Sequence, residues 1–345
     1  MNPALFPILK KTSRSLYLSI RALPPRMSEA FCVCYLLCRA ADSVADTKVV
    51  PYETRLSRIG IFPQLLTDAR ARAEHADSLV RDLTAGSDLP HEKELIARLP
   101  DILSAYDSMP AAERDITLQT VRDVCRGMTA DLELFGRDET TMRAFGSAGQ
   151  LDEYCHYIGG GPGLFWTRLA VICKVMRDPD LRNEARADGI GKALQITNIL
   201  RDVASDLRIG RCYFPIQDIR AAGLEPRGLL QPASMPKFRP VLRKWLLWGL
   251  DNLASAEDYM RAIPKSQLRM RAAVAWPVYM CLDTLAEIAK TDNILDPAVK
   301  AKINRGQVYT MIAKTPAVLL SNTAFSKAYR LRRETLLSIM EKPAR

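Results

Sequence analysis

Tyr35-Leu-Leu-Cys-Arg-Ala-Ala-Asp-Ser-Val-Ala-Asp46 and Gln195-Ile-Thr-Asn-Ile-Leu-Arg-Asp-Val-Ala-Ser-Asp206 are the two stretches that decide how this chain folds. In an α-helix of about 3.6 residues per turn, positions four apart lie about 40° from each other. Asp42 and Asp46 therefore share one face, as do Asp202 and Asp206. Each stripe extends upstream, through Tyr35 and Arg39 in one helix and through Gln195 and Asn198 in the other. Leu36, Leu37, Ala40, Ala41 and Val44 crowd the first, and Leu194, Ile196, Ile199, Leu200 and Val203 the second. A solvated face would carry mixed charge and few large aliphatics, and a polar stripe on an apolar helix is costly to bury without partners. Four carboxylates from two helices suit a hard cation, and Mg²⁺ characteristically takes carboxylates together with substrate phosphates.

Outward from these helices, periodicity predicts helix over roughly 27–46, 52–85, 91–108, 111–135, 140–176, 181–207, 235–262, 266–291, 299–313 and 316–341. Pro24-Pro25, Gly86, Pro90, Pro110, Gly136, Pro215, Pro264 and Pro297 punctuate them. Pro316 is expected at the first position of the last helix, where its missing N–H costs nothing. No β-branched alternation argues for a sheet. Residues 207–235, with Gly210, Pro215, Gly223, Pro226 and Pro232, read as a surface excursion. The expected architecture is a single all-α domain over residues 1–345. Gly159-Gly160-Gly161-Pro162-Gly163 lacks the preceding strand of a dinucleotide loop; inside a helix it permits a kink or a close backbone approach, beside a ligand cavity or for packing alone.

Composition narrows the partners. The 345 residues are 48% hydrophobic, enough for a large core, and lysine plus arginine exceed aspartate plus glutamate by 49 − 39 = 10. That excess favours anionic partners. Aromatics, at 7%, are not interleaved with basic runs, so phosphorylated small molecules or an acidic membrane surface fit better than nucleic acid. Cys32, Cys34 and Cys38 lack a second cysteine or histidine set for zinc and read as small core residues. The N-terminus shows no secretory signal, and no continuous apolar run approaches the roughly 18–20 residues of a membrane span.

Taken together, the motifs resemble the squalene/phytoene synthases, which join two isoprenyl diphosphates head to head. Thr12-Ser-Arg-Ser15 is similar to the family's N-terminal phosphate-side segment, and the two aspartate stretches resemble its paired aspartate motifs. Tyr154-Cys-His-Tyr-Ile-Gly-Gly160 is similar to the segment with the catalytic tyrosine, and Gly210-Arg-Cys-Tyr-Phe-Pro215 to the flap that follows. Lys302-Ile-Asn-Arg-Gly-Gln307 resembles a segment of squalene synthases associated with NADPH. Ala41-Asp-Ser-Val-Ala-Asp46 and Gly127-Met-Thr-Ala-Asp131 look more like bacterial carotenoid enzymes. Leu16 and Asn304 depart from the squalene synthase pattern of a phenylalanine and a basic residue.

The resemblance implies an isoprenoid-synthase-type helical bundle around a central cavity. It implies condensation of two farnesyl diphosphates through presqualene diphosphate, with NADPH reduction to squalene; dehydrosqualene or phytoene synthesis is the alternative. Asp42, Asp46, Asp202, Asp206 and Asn198 would hold Mg²⁺. Ser13, Arg14, Ser15, Tyr35, Arg39, Gln195, Asn198, Arg201 and Arg211 would bind diphosphate, and Tyr154 would be catalytic. Lys302 and Arg305 would meet the phosphates of NADPH or form a solvated basic helix start. Met128, Leu132, Phe135, Leu164 and Trp276 would wall a prenyl tunnel or serve as ordinary core. The enzyme is expected to be a monomer, cytoplasmic and peripheral to the inner face of the membrane. Its basic, apolar stretch from Phe325 to Met340 would lie on anionic lipid or pack on the domain. A non-catalytic helical scaffold is the rival class. A terpene cyclase or chain-elongating enzyme would show an Asp-Asp-x-x-Asp run that is absent here.

Overall fold

The computed structural model describes residues 5–13, 16–47, 50–86, 90–138, 140–177 and 181–341. Almost all of the regular structure in these residues is helix, and they gather into two compact units. The first comprises Met1–Arg137 and Phe165–Val175, the second Asp138–Leu164 and Met176–Arg345.

The first unit contains α1 (Leu5–Thr12), α2 (Leu16–Ala22), α3 (Pro25–Asp46), α4 (Tyr52–Ile61), α5 (Ala69–Gly86), α6 (Pro90–Ala97), α7 (Leu99–Asp107) and α8 (Ala111–Phe135). Helix α3 is its axis and packs against α1, α2, α4, α6, α7 and α8. Pro25 opens α3, where a missing N–H is harmless. Leu36, Leu37, Ala40, Ala41 and Val44 are completely buried, and each large aliphatic contributes roughly 1.5–3 kcal/mol. Buried Arg55 fastens the end of this helix, donating to the Ala45 carbonyl at 2.9 Å and the Gly136 carbonyl at 3.1 Å. It lies where α3 and α8 leave carbonyls without helical partners.

Helices α9 (Ala148–Cys155), α11 (Leu181–Arg208), α12 (Ile216–Ala221), α13 (Met235–Asn252), α14 (Ala256–Ala262), α15 (Leu268–Lys290), α16 (Arg305–Leu319) and α17 (Asn322–Glu341) belong to the second unit. The unit boundary falls within α10 (Gly161–Ile172). Helix α11 is the axis here, against α9, α13, α14 and α15. Thr197 and Cys281 meet at 3.1 Å where α11 and α15 touch. Two two-residue strands, β1 (Arg143–Ala144) and β2 (Arg211–Cys212), pair in parallel.

The structure redraws several sequence expectations. Helices α1 and α2 form upstream of the first expected helix, α1 burying Leu5, Ile8, Leu9 and Thr12 along one face. The expected helix 52–85 breaks at Phe62-Pro63, and α5 restarts where the Asp68 carboxylate accepts from the Arg70 and Ala71 amides. Pro316 lies inside α16 and does not open the last helix. Residues 207–235 are no mere excursion, because Asp218 accepts from Lys244 at 2.6 Å and Trp245 at 3.0 Å. Helix α15 is long and apolar enough to cross a membrane, yet 67% of its apolar window is buried, as in a core helix. Counting uninterrupted apolar runs passes over it.

Arg271 on α15 is fully buried and clasps three helix ends. It donates to the carbonyls of Leu319 (2.6 Å), Met260 (3.1 Å) and Ile263 (3.0 Å), and to Asn322 Oδ1 (2.8 Å). Burial lowers its pKa, and the negative ends of α14 and α16 supply the compensating dipoles. Arg271→Met leaves these acceptors buried and unmet. We expect a loss of about 3–5 kcal/mol, read by urea unfolding.

Candidate active site

On α3, the Tyr35 hydroxyl donates to the Thr12 carbonyl at 3.0 Å and so ties the end of α1 to the aspartate helix. Ser13 is buried and donates to the Leu9 carbonyl at 2.6 Å, so its proton is committed to the backbone. Arg14 and Ser15 lie outside the described residues. Arg39 pairs with Asp42, three residues on, and with Glu92 of α6 at 2.8 Å. Burial opposes its charge, but Asp42, Tyr35, Glu92 and Asp46 outweigh burial and raise the guanidinium. Asp46 is exposed in the last turn of α3.

Asp42 is crowded by protein atoms while its side chain remains 23% open. Its pKa rises to about 7, first from burial and next from Asp46; Arg39 pulls it down, and Glu92 and Asp131 push it up. Three further carboxylates thus crowd Asp42, against the one guanidinium of Arg39 that stabilises its charge. Glu92 and Asp131 fall outside the residues read from the sequence: α6 and α8 bring them to α3 from distant sequence, and only the Gly127–Asp131 stretch gives a signal. Among the described residues, no three Asp, Glu, His or Cys side chains converge as a closed cage.

In the second unit, Gln195, Asn198, Asp202 and Asp206 form the expected stripe on α11. Asn198 is exposed, and the Asp202 side chain is 46% open. Arg201 grips Asp202 with two bonds, Nε at 2.9 Å and Nη2 at 2.5 Å, so the two present one bidentate ion pair. That pairing raises the Arg201 pKa most, burial opposes it, and Asp206 adds to it. Arg211 is held in β2, paired with β1. Next to it, Tyr213 stacks on Tyr154 with ring centroids 5.3 Å apart, and Phe145 lies 5.6 Å from Tyr154.

Tyr154 lies in the last turn of α9, and after Cys155 the chain winds into a π-helical turn, His156–Gly160. Such turns widen a helix by one residue and often mark functional sites. Here it faces the α11 backbone: a Cβ on Gly191 would lie 2.1 Å from the Gly159 carbonyl oxygen, and one on Gly159 would lie 2.2 Å from that of Gly191. The glycine run therefore serves a close backbone approach between Tyr154's segment and the aspartate helix α11. His156 Nδ1 and Asp188 Oδ1, 2.6 Å apart, lock the turn, and Lys192 bridges Asp188 (3.4 Å) and Asp152 (3.0 Å).

Of the other expected residues, Lys302 and Arg305 are exposed at the start of α16. Asn304 caps that helix, accepting from the Gln307 amide at 2.9 Å while Gln307 Oε1 accepts from the Asn304 amide. Helix capping thus accounts for Asn304, a departure noted in the sequence. Met128, Leu132 and Phe135 are buried on α8, and Leu164 is half-buried. Trp276 is half-buried, and its indole N–H donates to Thr315 of α16 at 2.9 Å. Cys32 and Cys34 are buried in α3, and burial pushes the Cys32 thiol up to about 12.

The helical architecture is that of the isoprenoid synthases. The solved structure of TcSQS with the ligand BPH1237 superposes with a TM-score of 0.78 at 22% identity, over 97% of this chain and 95% of that one. The chain belongs to the squalene/phytoene synthase family, which it matches over residues 9–307. It is 30% identical to the presqualene diphosphate synthase of Zymomonas mobilis over 250 residues, covering 72% of this chain and 71% of that protein. It is 24% identical to the squalene synthase of Saccharomyces cerevisiae over 313 residues, covering 90% and 66% respectively. The chain spans 55–71% of the length of the first curated relatives it matches.

Two outcomes follow from the π turn. Gly191→Ala should lower the urea midpoint by the equivalent of about 2–3 kcal/mol or abolish folding. Gly60→Ala in α4, with nothing within 4 Å, should leave stability equal or up to about 1 kcal/mol higher. Burial raises the Asp188 pKa, but His156 and Lys192 outweigh it and hold the carboxyl below its ordinary value. Its stabilisation is therefore complete above the unfolded carboxyl pKa of about 4 and disappears as pH falls through the depressed folded value. Asp188→Asn should cost about 1–3 kcal/mol at neutral pH, and its deficit should close in acid-unfolding curves below about pH 4.

Proposed function

We propose that this chain condenses two molecules of farnesyl diphosphate head to head into presqualene diphosphate and then, with NADPH, reduces that intermediate to squalene. The observation that carries the reading is the oxygen-rich stripe on α3 and again on α11, each with an arginine beside its aspartates. The Zymomonas and yeast relatives, named presqualene diphosphate synthase and squalene synthase, support the same reaction class.

Bound Mg²⁺ would act as a Lewis acid on the diphosphate oxygens, weakening the allylic C–O bond. Asp42 and Asp46 would hold one such ion, and Asp202 and Asp206 with Asn198 another. Arg39 and Arg201, now engaged with Asp42 and Asp202, would share the diphosphate charge, with Arg14, Arg211, Ser13, Ser15, Tyr35 and Gln195 orienting its oxygens. Allylic ionisation leaves a carbocation at C1, which alkylates the C2–C3 double bond of the second substrate. Proton loss closes the cyclopropane. Tyr154, with its ring packed against Phe145 and Tyr213, would pass that proton toward the released diphosphate. A phenol of pKa about 10 is better at relaying a proton than at keeping one at neutral pH. Loss of the second diphosphate would leave a cyclopropylcarbinyl cation, and hydride from NADPH would end its rearrangement, with Lys302 and Arg305 meeting the cofactor's phosphates.

The test is incubation of purified protein with farnesyl diphosphate and Mg²⁺, with and without NADPH, and mass spectrometry of the extracts. Squalene only with NADPH, and presqualene diphosphate without it, is the expected result. Dehydrosqualene in both reactions would assign the chain to the non-reductive branch, and no thirty-carbon product would overturn the reading. Asp42→Asn and Asp202→Asn should each abolish measurable condensation with the fold intact. Tyr154→Phe should lower kcat by roughly 10²–10⁴-fold.

A further inference from the structure

Arg39 is the cation that the first aspartate stripe would turn toward diphosphate, and its guanidinium is held from two sides. One arm meets Asp42, three residues on along the same helix. The other, Nη2, donates to Glu92 Oε1 at 2.8 Å, across 53 residues of chain. Both partners are carboxylates, but their settings differ. Asp42 stands in the stripe beside Asp46, so it is the partner that a cation would claim. Glu92 belongs to neither stripe. It sits in the first turn of α6, where the positive end of the helix favours a carboxylate, and its side chain is only 14% open.

Helix α6 is a firm base for that carboxylate. Leu95 and Ile96 are buried, the helix packs against α1, α3, α5 and α7, and Glu94 pairs with Lys11 of α1 at 2.6 Å. Arginine, by contrast, is a long side chain with much rotamer freedom to lose. Among the described residues the Arg39 guanidinium has no third hydrogen-bond partner, and its buried Nε meets no acceptor. Once Asp42 turns to a cation, Glu92 is the acceptor that still fixes where Arg39 points.

We propose that Glu92 is a positioning residue for diphosphate: it keeps Arg39 aimed at the α3 stripe when Asp42 is given over to the metal ion. The role rests on the reading of α3 as a cation and diphosphate site, and it adds a residue that neither aspartate motif contains. It also reverses the sign expected of a carboxylate near an anion. By charge alone, neutralising Glu92 should help diphosphate bind. Releasing a clamp on Arg39 should hinder it.

The test is calorimetric titration of inorganic diphosphate into the full chain at saturating Mg²⁺, with no turnover. The binding component that Asp42→Asn removes reports the α3 stripe. In Glu92→Gln its dissociation constant should rise roughly tenfold, as for loss of one charge-assisted hydrogen bond. Arg39→Met should weaken the same component at least as much. Adding Glu92→Gln to Arg39→Met should then change the constant by less than about twofold, because Glu92 acts through Arg39. Electron paramagnetic resonance should show that Glu92→Gln still binds Mn²⁺ without diphosphate, and circular dichroism that its fold is kept. Unchanged or tighter diphosphate binding in Glu92→Gln would overturn the proposal, and with a lowered thermal midpoint it would leave Glu92 a mere tie between α6 and α3. Additive losses in the double variant would overturn it too, as would loss of Mn²⁺ binding without diphosphate, which would make Glu92 a metal ligand. A wild-type chain that takes up no diphosphate would sink both this role and the reading of the α3 stripe. If the binding cycle holds and no thirty-carbon product forms, the condensation reading falls alone.

Discussion

The second unit depends on a backbone contact that tolerates no side chain. Gly159 and Gly191 approach so closely that a Cβ on either would lie 2.2 Å or less from the other's carbonyl oxygen. This draws the π turn after Tyr154 onto α11, the helix with Asp202 and Asp206. A single methyl group would force the two apart, and with them the tyrosine and the aspartates. The His156–Asp188 and Lys192–Asp152 pairs then fix the turn's orientation around that contact. Packing sets the distance, and charge sets the angle.

A different balance governs the aspartate helices themselves. Both are axes of their units and must be apolar on most faces, yet each keeps a row of oxygen donors. On α3 the negative charges outnumber the positive, and Asp42 is pushed toward neutrality. On α11 the Arg201–Asp202 pair is closer to self-sufficient and more open. The two motifs, similar in sequence, thus rest in different electrostatic states. Away from the motifs, buried guanidiniums act structurally: Arg55 and Arg271 meet the carbonyls that helices leave unsatisfied at their C-termini.

The aspartate stripes were legible because helical spacing is a local property, and so is the alternation of polar and apolar residues around Asp42 and Asp202. Helix content was legible for the same reason. Local pattern does not reveal which helices meet. Glu92 and Asp131 join Asp42 only through packing of α6 and α8 on α3, and Trp276 meets Thr315 across 39 residues of chain. Long predicted helices were overextended where a 3₁₀ turn at Phe62–Leu66 or a cap at Ser147 interrupts a continuous apolar rhythm.

The central claim is that each aspartate stripe holds a divalent cation together with diphosphate. Electron paramagnetic resonance of Mn²⁺, titrated into the full chain with and without inorganic diphosphate, tests it most directly. The account predicts Mn²⁺ binding that tightens when diphosphate is present, with part of it lost in Asp42→Asn and part in Asp202→Asn. Binding that ignores diphosphate, or that survives both substitutions together, would contradict it.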